Sequence, residues 1–160
     1  MAETTTPGSA ALPGQPQPPQ PPLPAAGRRR LDGLLGGNAP RNRGRTPLPV
    51  ETLRLSVLVP VYNERNTVRE IVARVRSVPV QMEVICVDDC STDGTPEVLA
   101  AMLEEGLVDR VVRHEVNRGK GAAIRTALGA STGNVVIVQD ADLEYDPGDW
   151  PALLAPIVDG

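Results

Sequence analysis

The stretch Val135-Val136-Ile137-Val138-Gln139-Asp140-Ala141-Asp142-Leu143-Glu144-Tyr145-Asp146 decides the reading of this chain. Four branched apolar residues in succession predict a strand buried on both faces. That strand runs straight into acids at alternate positions, Asp140, Asp142 and Glu144. Carboxylates are seldom buried without a partner or a metal, so acids at the end of a core strand call for a counter-charge. A hard divalent cation, Mg2+ or Mn2+, carrying the phosphates of a nucleotide would supply one. The competing reading of this segment alone is a solvated acidic turn.

Upstream, strand and helix patterns alternate. Leu55 to Pro60 is a first strand, and Val68, Ile71, Val72 and Val75 then fall on one helical face, with Asn63 or Asn66 as its cap. Glu83 to Asp88 is a second strand. Thr95-Pro96-Glu97 reads as an N-cap, a proline at the first helical position and an early acid. Leu99, Met102 and Leu103 are expected to give that helix its buried stripe, and Gly106 ends it. Arg110 to Glu115 is a third strand, Ala122 to Ala130 a helix opened by Gly119-Lys120-Gly121, and Val135 to Gln139 the fourth strand. Trp150, Leu153, Leu154, Ile157 and Val158 predict a last helix. This order implies an α/β fold, a mostly parallel sheet with right-handed crossovers and helices on both faces.

Ligands of such sheets bind beyond the carboxyl ends of the strands. The first strand ends in Pro60-Val61-Tyr62-Asn63-Glu64, the second in Asp88-Asp89-Cys90-Ser91-Thr92-Asp93-Gly94, and the fourth in the Asp140–Glu144 cluster. All three ends are polar and acidic, and all three aromatic residues, Tyr62, Tyr145 and Trp150, lie in or just after them. An acid at the second strand's end commonly accepts hydrogen bonds from a ribose or base. Asp88 is the favoured candidate. Asp89 stands equally between ligand and ordinary turn, and Asp93 is better placed to cap the next turn of the chain. Gly119-Lys120-Gly121 would let backbone approach a diphosphate, with Lys120 or Arg118 adding charge, although close helix–sheet packing explains the glycines as well. The spacing is not that of a P-loop. His114, as a strand-end residue, is given no role.

Several explanations of Asp140-x-Asp142 can be removed. An EF-hand would need glycine and glutamate where Tyr145 and Pro151 stand. A dehydrogenase would carry a glycine fingerprint after the first strand, where this chain has Pro60-Val61-Tyr62-Asn63-Glu64. Metal-assisted transfer from a nucleotide-activated donor remains.

Composition splits the chain. Residues 1–50 hold eleven of the seventeen prolines and six arginines against Glu3 and Asp32, a net charge of about +4. Such a segment buries too little apolar surface to offset the entropy of ordering, so it is expected to be a disordered Pro/Arg-rich tail. Residues 51–160 carry the folded domain and about −8. A basic arm on an acidic body points to peripheral contact with anionic membrane; a solubilising linker is the plainer alternative. A nucleic-acid partner is not expected, because the arginines come without aromatics. No stretch approaches the ~20 apolar residues of a membrane span and no secretory core stands at the N-terminus, so the expected location is the cytoplasm, peripheral on a membrane face. Two cysteines and one histidine make neither a zinc site nor a disulfide framework, and Cys86 reads as a small core residue.

Taken together, Val59-Pro60-Val61-Tyr62-Asn63-Glu64, Val87-Asp88-Asp89-Cys90-Ser91-Thr92-Asp93-Gly94-Thr95, Asn117-Arg118-Gly119-Lys120-Gly121 and Gln139-Asp140-Ala141-Asp142-Leu143-Glu144-Tyr145-Asp146-Pro147 resemble the family 2 glycosyltransferases. Within them the chain looks most like the dolichyl- or polyprenyl-phosphate mannose and glucose synthases, over residues 53–160. The resemblance implies a GT-A fold and an inverting, metal-dependent transfer from GDP-mannose or UDP-glucose to a polyprenyl or dolichyl phosphate. It implies Pro60, Tyr62, Glu64 and Asp88 around the nucleoside, beside the candidates Asp89 and Lys120. It makes Asp140 and Asp142 the catalytic Asp-x-Asp pair on donor and metal, with Glu144 a third metal ligand. Members of the family continue past this point with strands that hold the acceptor and commonly the base. The chain is therefore expected to be a truncated donor-binding part with an open sheet edge and little transfer activity alone. Two alternatives stand beside this: a family 2 enzyme acting on a polysaccharide or other acceptor, and a nucleotide-sugar-binding module without catalysis.

Overall fold

Leu55–Val61 forms strand β1, and all seven of its residues are buried. Only a strand with sheet neighbours on both edges and helices on both faces buries every residue, and the computed structural model, which describes residues 46–159, gives it that place. Of the proposed disordered tail, residues 1–45 lie outside the described part.

After β1 come helix α1 (Val68–Ser77), strand β2 (Met82–Asp88), helix α2 (Thr95–Glu104), strand β3 (Arg110–Arg113), helix α3 (Lys120–Ala130), strand β4 (Val135–Val138) and helix α4 (Trp150–Val158). Short 3-10 turns at Val50–Thr52 and Pro147–Asp149 precede β1 and α4. The four strands are parallel in the order β3-β2-β1-β4. Leu58 sits beside Ile85 on one edge and Val138 on the other. The order reverses at β1, because the chain steps outward to β2 and β3 and then returns past β1 to lay down β4.

Alternation along β1 divides the core. Leu55, Val57, Val59 and Val61 join Val84 and Cys86 under α1, α2 and α4, whose Val68, Ile71, Val72, Val75, Leu99, Met102, Trp150 and Leu154 are buried there. Each such side chain contributes roughly 1.5–3 kcal/mol of burial. Burial pushes the Cys86 thiol up to about 12, with Arg76 opposing and Asp109 adding to the rise. On the opposite face Leu58, Ile85 and Val87 meet only α3, through Ala123 and Ala127. Small residues there let the helix approach the sheet closely.

Four expectations are corrected. Leu99 and Met102 are buried on α2, but Leu103, expected in the same stripe, turns outward and is exposed. The four-residue apolar run of β4 is not buried on both faces: Val135 and Ile137 turn to the main core, whereas Val136 and Val138 are 41% and 42% exposed. The cause is position, since β4 is an edge strand among the described residues and α3 lies over β1 and β2. Neither Asn63 nor Asn66 caps α1. Thr67 stands at that position without a side-chain cap bond, and Asn63 Oδ1 instead accepts the Thr92 amide at 2.9 Å. Thr95 is already the first residue of α2; its amide and hydroxyl both donate to Asp93 Oδ1, at 3.0 and 2.6 Å. Asp93 thus takes the capping part expected of it.

At the amino end of the sheet, Glu83 ties three segments. Its Oε1 accepts the Ser56 hydroxyl at 2.6 Å and the Thr132 and Gly133 amides at 2.5 and 3.1 Å. Burial would raise its carboxyl, and these hydrogen bonds outweigh burial and hold it below the usual range. Gly133 is there because nothing larger fits: a Cβ would stand 2.6 Å from Ser56 Oγ and 2.9 Å from Ser56 N, and closer still to Arg54 O. Gly133→Ala should therefore lower stability by about 2–3 kcal/mol in urea unfolding, since backbone would have to move. An unchanged midpoint would contradict this packing.

Candidate functional site

Because β1 lies at the point of reversal, its carboxyl end opens a crevice between the loops that follow β1 and β4. Pro60, Val61, Tyr62 and Glu64 enter it from β1, and Asp140, Ala141 and Asp142 from β4. Asp89 from the β2 loop and Lys120 and Ala123 from α3 complete the lining. The cleft measures about 160 Å3, below the ~300–1,000 Å3 of enclosing ligand pockets. A bound nucleotide would lie partly in the open.

The β1 loop is locked onto the β2 loop. Asn63, at φ 56, accepts from Thr92 through its side chain and donates its amide to Ser91 Oγ at 2.9 Å. The Glu64 amide donates to Thr95 Oγ1 at 3.0 Å, and Glu64 Oε2 accepts the Thr67 hydroxyl at 2.5 Å. The Tyr62 ring is left 49% exposed beside the cleft.

Asp88 and Asp89, adjacent and both buried, are used differently. Asp88 Oδ1 accepts the Ser91 amide at 3.0 Å, while its Oδ2 is buried without a hydrogen bond. Arg113 Nε stands 3.2 Å from that oxygen as an ion pair but out of hydrogen-bonding alignment. Charge is compensated there and a donor is still wanting. Asp89 is held by three protein donors: His114 Nδ1 lies 2.6 Å from its Oδ1, and the Arg118 and Gly119 amides donate to it at 2.9 and 2.6 Å. Burial would raise the Asp89 carboxyl, but hydrogen bonds from Arg118, His114 and Gly119 hold it below the usual range.

The acidic turn after β4 is shaped from beneath by Gln139, which is buried and donates through Nε2 to the Tyr145 and Asp140 carbonyls at 3.0 and 3.2 Å. Leu143 takes a left-handed φ of 69. Asp140 Oδ2 meets the Lys120 ammonium at 2.7 Å, a hydrogen bond that raises the lysine's pKa against a modest cost of burial. Asp142 Oδ1 accepts the Glu144 amide at 3.1 Å.

Of the nine residues singled out in the sequence, Pro60, Tyr62, Glu64, Asp89, Lys120, Asp140 and Asp142 share the cleft; Asp88 and Glu144 stand outside its lining. No three acidic, histidine or cysteine side chains converge on a metal position among the described residues. Of the three acids of this turn, Asp140 and Asp142 line the cleft, and Glu144 lies outside the lining with its amide donating to Asp142 Oδ1. Two carboxylates with open space beside them match the chemistry of Mg2+ or Mn2+, which take one or two carboxylates and complete their shell with phosphate and water. His114, Arg113 and Asn63 were not assigned to the site from sequence. The one signal for His114 is that the chain's single histidine falls at the carboxyl end of a strand.

With this geometry in place, comparison with known proteins identifies the class. Residues 56–160 match the model of the glycosyl transferase family 2, and the chain belongs to that family. It is 36% identical over 114 residues to a dodecaprenyl-phosphate galacturonate synthase of Rhizobium johnstonii, covering 68% of this chain and 34% of the relative. It is 32% identical over 110 residues to a dolichol-phosphate mannosyltransferase of Pyrococcus furiosus, covering 68% and 31%. Among solved structures, a mannosyltransferase from Pyrobaculum calidifontis in complex with GDP-Man and Mn2+ superposes with a TM-score of 0.55 at 33% identity, covering 71% of this chain and 33% of that one. The fold is thereby GT-A-like, as the motifs implied. The chain spans about a third of the length of the curated relatives it matches. No helix among the described residues is long and apolar enough to cross a membrane.

The lowered Asp89 pKa has a consequence for stability. A carboxyl depressed below its unfolded value of about 3.9 contributes fully above that pH and loses its contribution as pH falls through the folded value. Wild type should exceed Asp89→Asn in stability at pH 5, and the gap should narrow steadily as pH is taken below about 4. A gap that stays constant to pH 2 would contradict the hydrogen-bonded carboxylate.

Proposed function

We propose that this chain supplies the donor side of a metal-dependent, inverting sugar transfer from GDP-mannose or UDP-glucose to a polyprenyl or dolichyl phosphate. One observation carries the reading: three strand ends deliver Pro60, Tyr62 and Glu64, then Asp89, then Asp140 and Asp142 into one cleft at the switch point of the sheet, and the start of α3 adds Lys120. The polyprenyl-phosphate relatives support the acceptor class.

In this reading the exposed Tyr62 ring offers a stacking face for the base, and Asp88, buried outside the lining, acts from behind by holding the Ser91 amide of the β2 loop. Asp140 and Asp142 would hold a divalent cation, which would supply Lewis-acid stabilisation of charge on a diphosphate. Lys120, already 2.7 Å from Asp140, adds a second positive charge on the same side. Pro60 and Val61, both buried, give the cleft an apolar wall.

Titration of the purified chain with GDP and with UDP by calorimetry, with and without Mn2+, tests the reading. One nucleotide should bind at least tenfold tighter with Mn2+, and Asp142→Ala should abolish that gain. Failure of both nucleotides to bind, or binding indifferent to Asp142→Ala, would remove the donor site.

A further inference from the structure

Asp89 lines the donor cleft, yet both of its oxygens are already engaged by the protein. Its Oδ1 takes His114 Nδ1 at 2.6 Å and the Arg118 amide at 2.9 Å; its Oδ2 takes the Gly119 amide at 2.6 Å and the same Arg118 amide at 3.1 Å. Three N–H donors thus share the carboxylate. The second half of the network is His114, also buried, whose Nε2 lies 2.9 Å from Thr126 Oγ1. Nδ1–H donation to Asp89 leaves Nε2 to accept the threonine hydroxyl, one consistent tautomer for both contacts.

The two residues grip α3 twice. Asp89 holds the two amides just before Lys120, and His114 holds Thr126 on the body of the same helix, about 9 Å further along its axis. The grip falls where the backbone has least preference of its own, since Gly119 has φ +83 and precedes the first helical residue. Lys120 follows at once and reaches Asp140. A lysine on a flexible stem binds phosphate well only if its Cα is fixed beforehand, because ordering it at the moment of binding costs affinity.

We propose that Asp89 and His114 are positioning residues of the donor site: through the Arg118 and Gly119 amides and Thr126 they fix the start of α3, and so set Lys120 to meet the diphosphate of a nucleotide held at Asp140 and Asp142. The proposal rests on the donor-site reading above. It moves Asp89 from nucleotide ligand to support of the residue that touches the nucleotide.

Two measurements on the 160-residue chain separate the ideas. Amide hydrogen exchange reads the grip without any nucleotide: Arg118 and Gly119 should be protected in wild type and lose protection in Asp89→Asn, while the β1 amides stay protected. Unchanged protection of Arg118 and Gly119 overturns the proposal, whatever binds. Affinity for UDP or GDP with Mn2+ reads the consequence through a double-mutant cycle of Asp89→Asn and Lys120→Ala. Asp89→Asn should weaken binding about ten- to a hundredfold, the range for residues that orient ligands from behind. The double variant should be no weaker than the worse single one. Effects that multiply would show Asp89 acting apart from Lys120 and overturn the proposal. Thr126→Val, which keeps the Asp89 contacts, should weaken binding a few-fold, and it serves if Asp89→Asn does not fold. Absence of nucleotide binding by wild type would instead sink the donor reading, leaving exchange to decide the grip.

Discussion

The site depends first on β1 being held between two parallel partners. Its pairing with β2 on one edge and β4 on the other buries all seven residues, and it forces the chain to leave the sheet at Val61 into a crevice bounded by two other loops. Pro60, Val61, Tyr62, Glu64, Asp140, Ala141 and Asp142 enter the cleft from the ends of those paired strands. β4 would have no neighbour without β1, and the Asp140–Asp142 turn would have no opposite wall. The tight packing at Gly133 and the Glu83 ties serve the same end from the far side, by fixing where β4 begins.

The second constraint is electrostatic. Asp88, Asp89, Asp140, Asp142 and Glu64 gather at one edge of a domain that is acidic overall, and like charges so near one another must be compensated. The chain does this in three ways. Asp89 accepts from amides and His114, Asp88 has a single amide and an imperfectly aligned Arg113, and Asp140 pairs with Lys120. Asp142 accepts an amide of its own turn and lies within the field of Lys120. Compensation is weakest at Asp88, whose buried Oδ2 lacks a hydrogen bond.

Much of this was legible in the sequence because branched apolar runs and helical spacing carry elements directly. The carboxyl-edge rule then collects Pro60, Tyr62, Glu64, Asp140 and Asp142 without further information. What could not be read was what each element lies against. Val136 and Val138 look like core residues in a string of letters, and only the placement of α3 leaves them exposed. Asp88 and Asp89 are chemically identical neighbours, yet alternation turns one toward a loop amide and the other toward a helix start. His114 offers only its place at a strand end, since its partners Asp89 and Thr126 lie 25 and 12 residues away in sequence. Glu144 fits the alternate-acid pattern, but a left-handed Leu143 breaks the alternation just before it.

The central claim is that the β1–β4 crevice binds a metal-bearing nucleoside diphosphate. Amide NMR spectra of the chain in the presence of substoichiometric Mn2+, with and without UDP or GDP, test it most directly, because the paramagnetic ion broadens only what lies near it. With nucleotide present, Asp140, Ala141, Asp142 and Lys120 should be broadened first and Tyr62 next, with α2 and the amino end of the sheet unaffected. Broadening centred elsewhere, or spread evenly over the acidic surface, would contradict it.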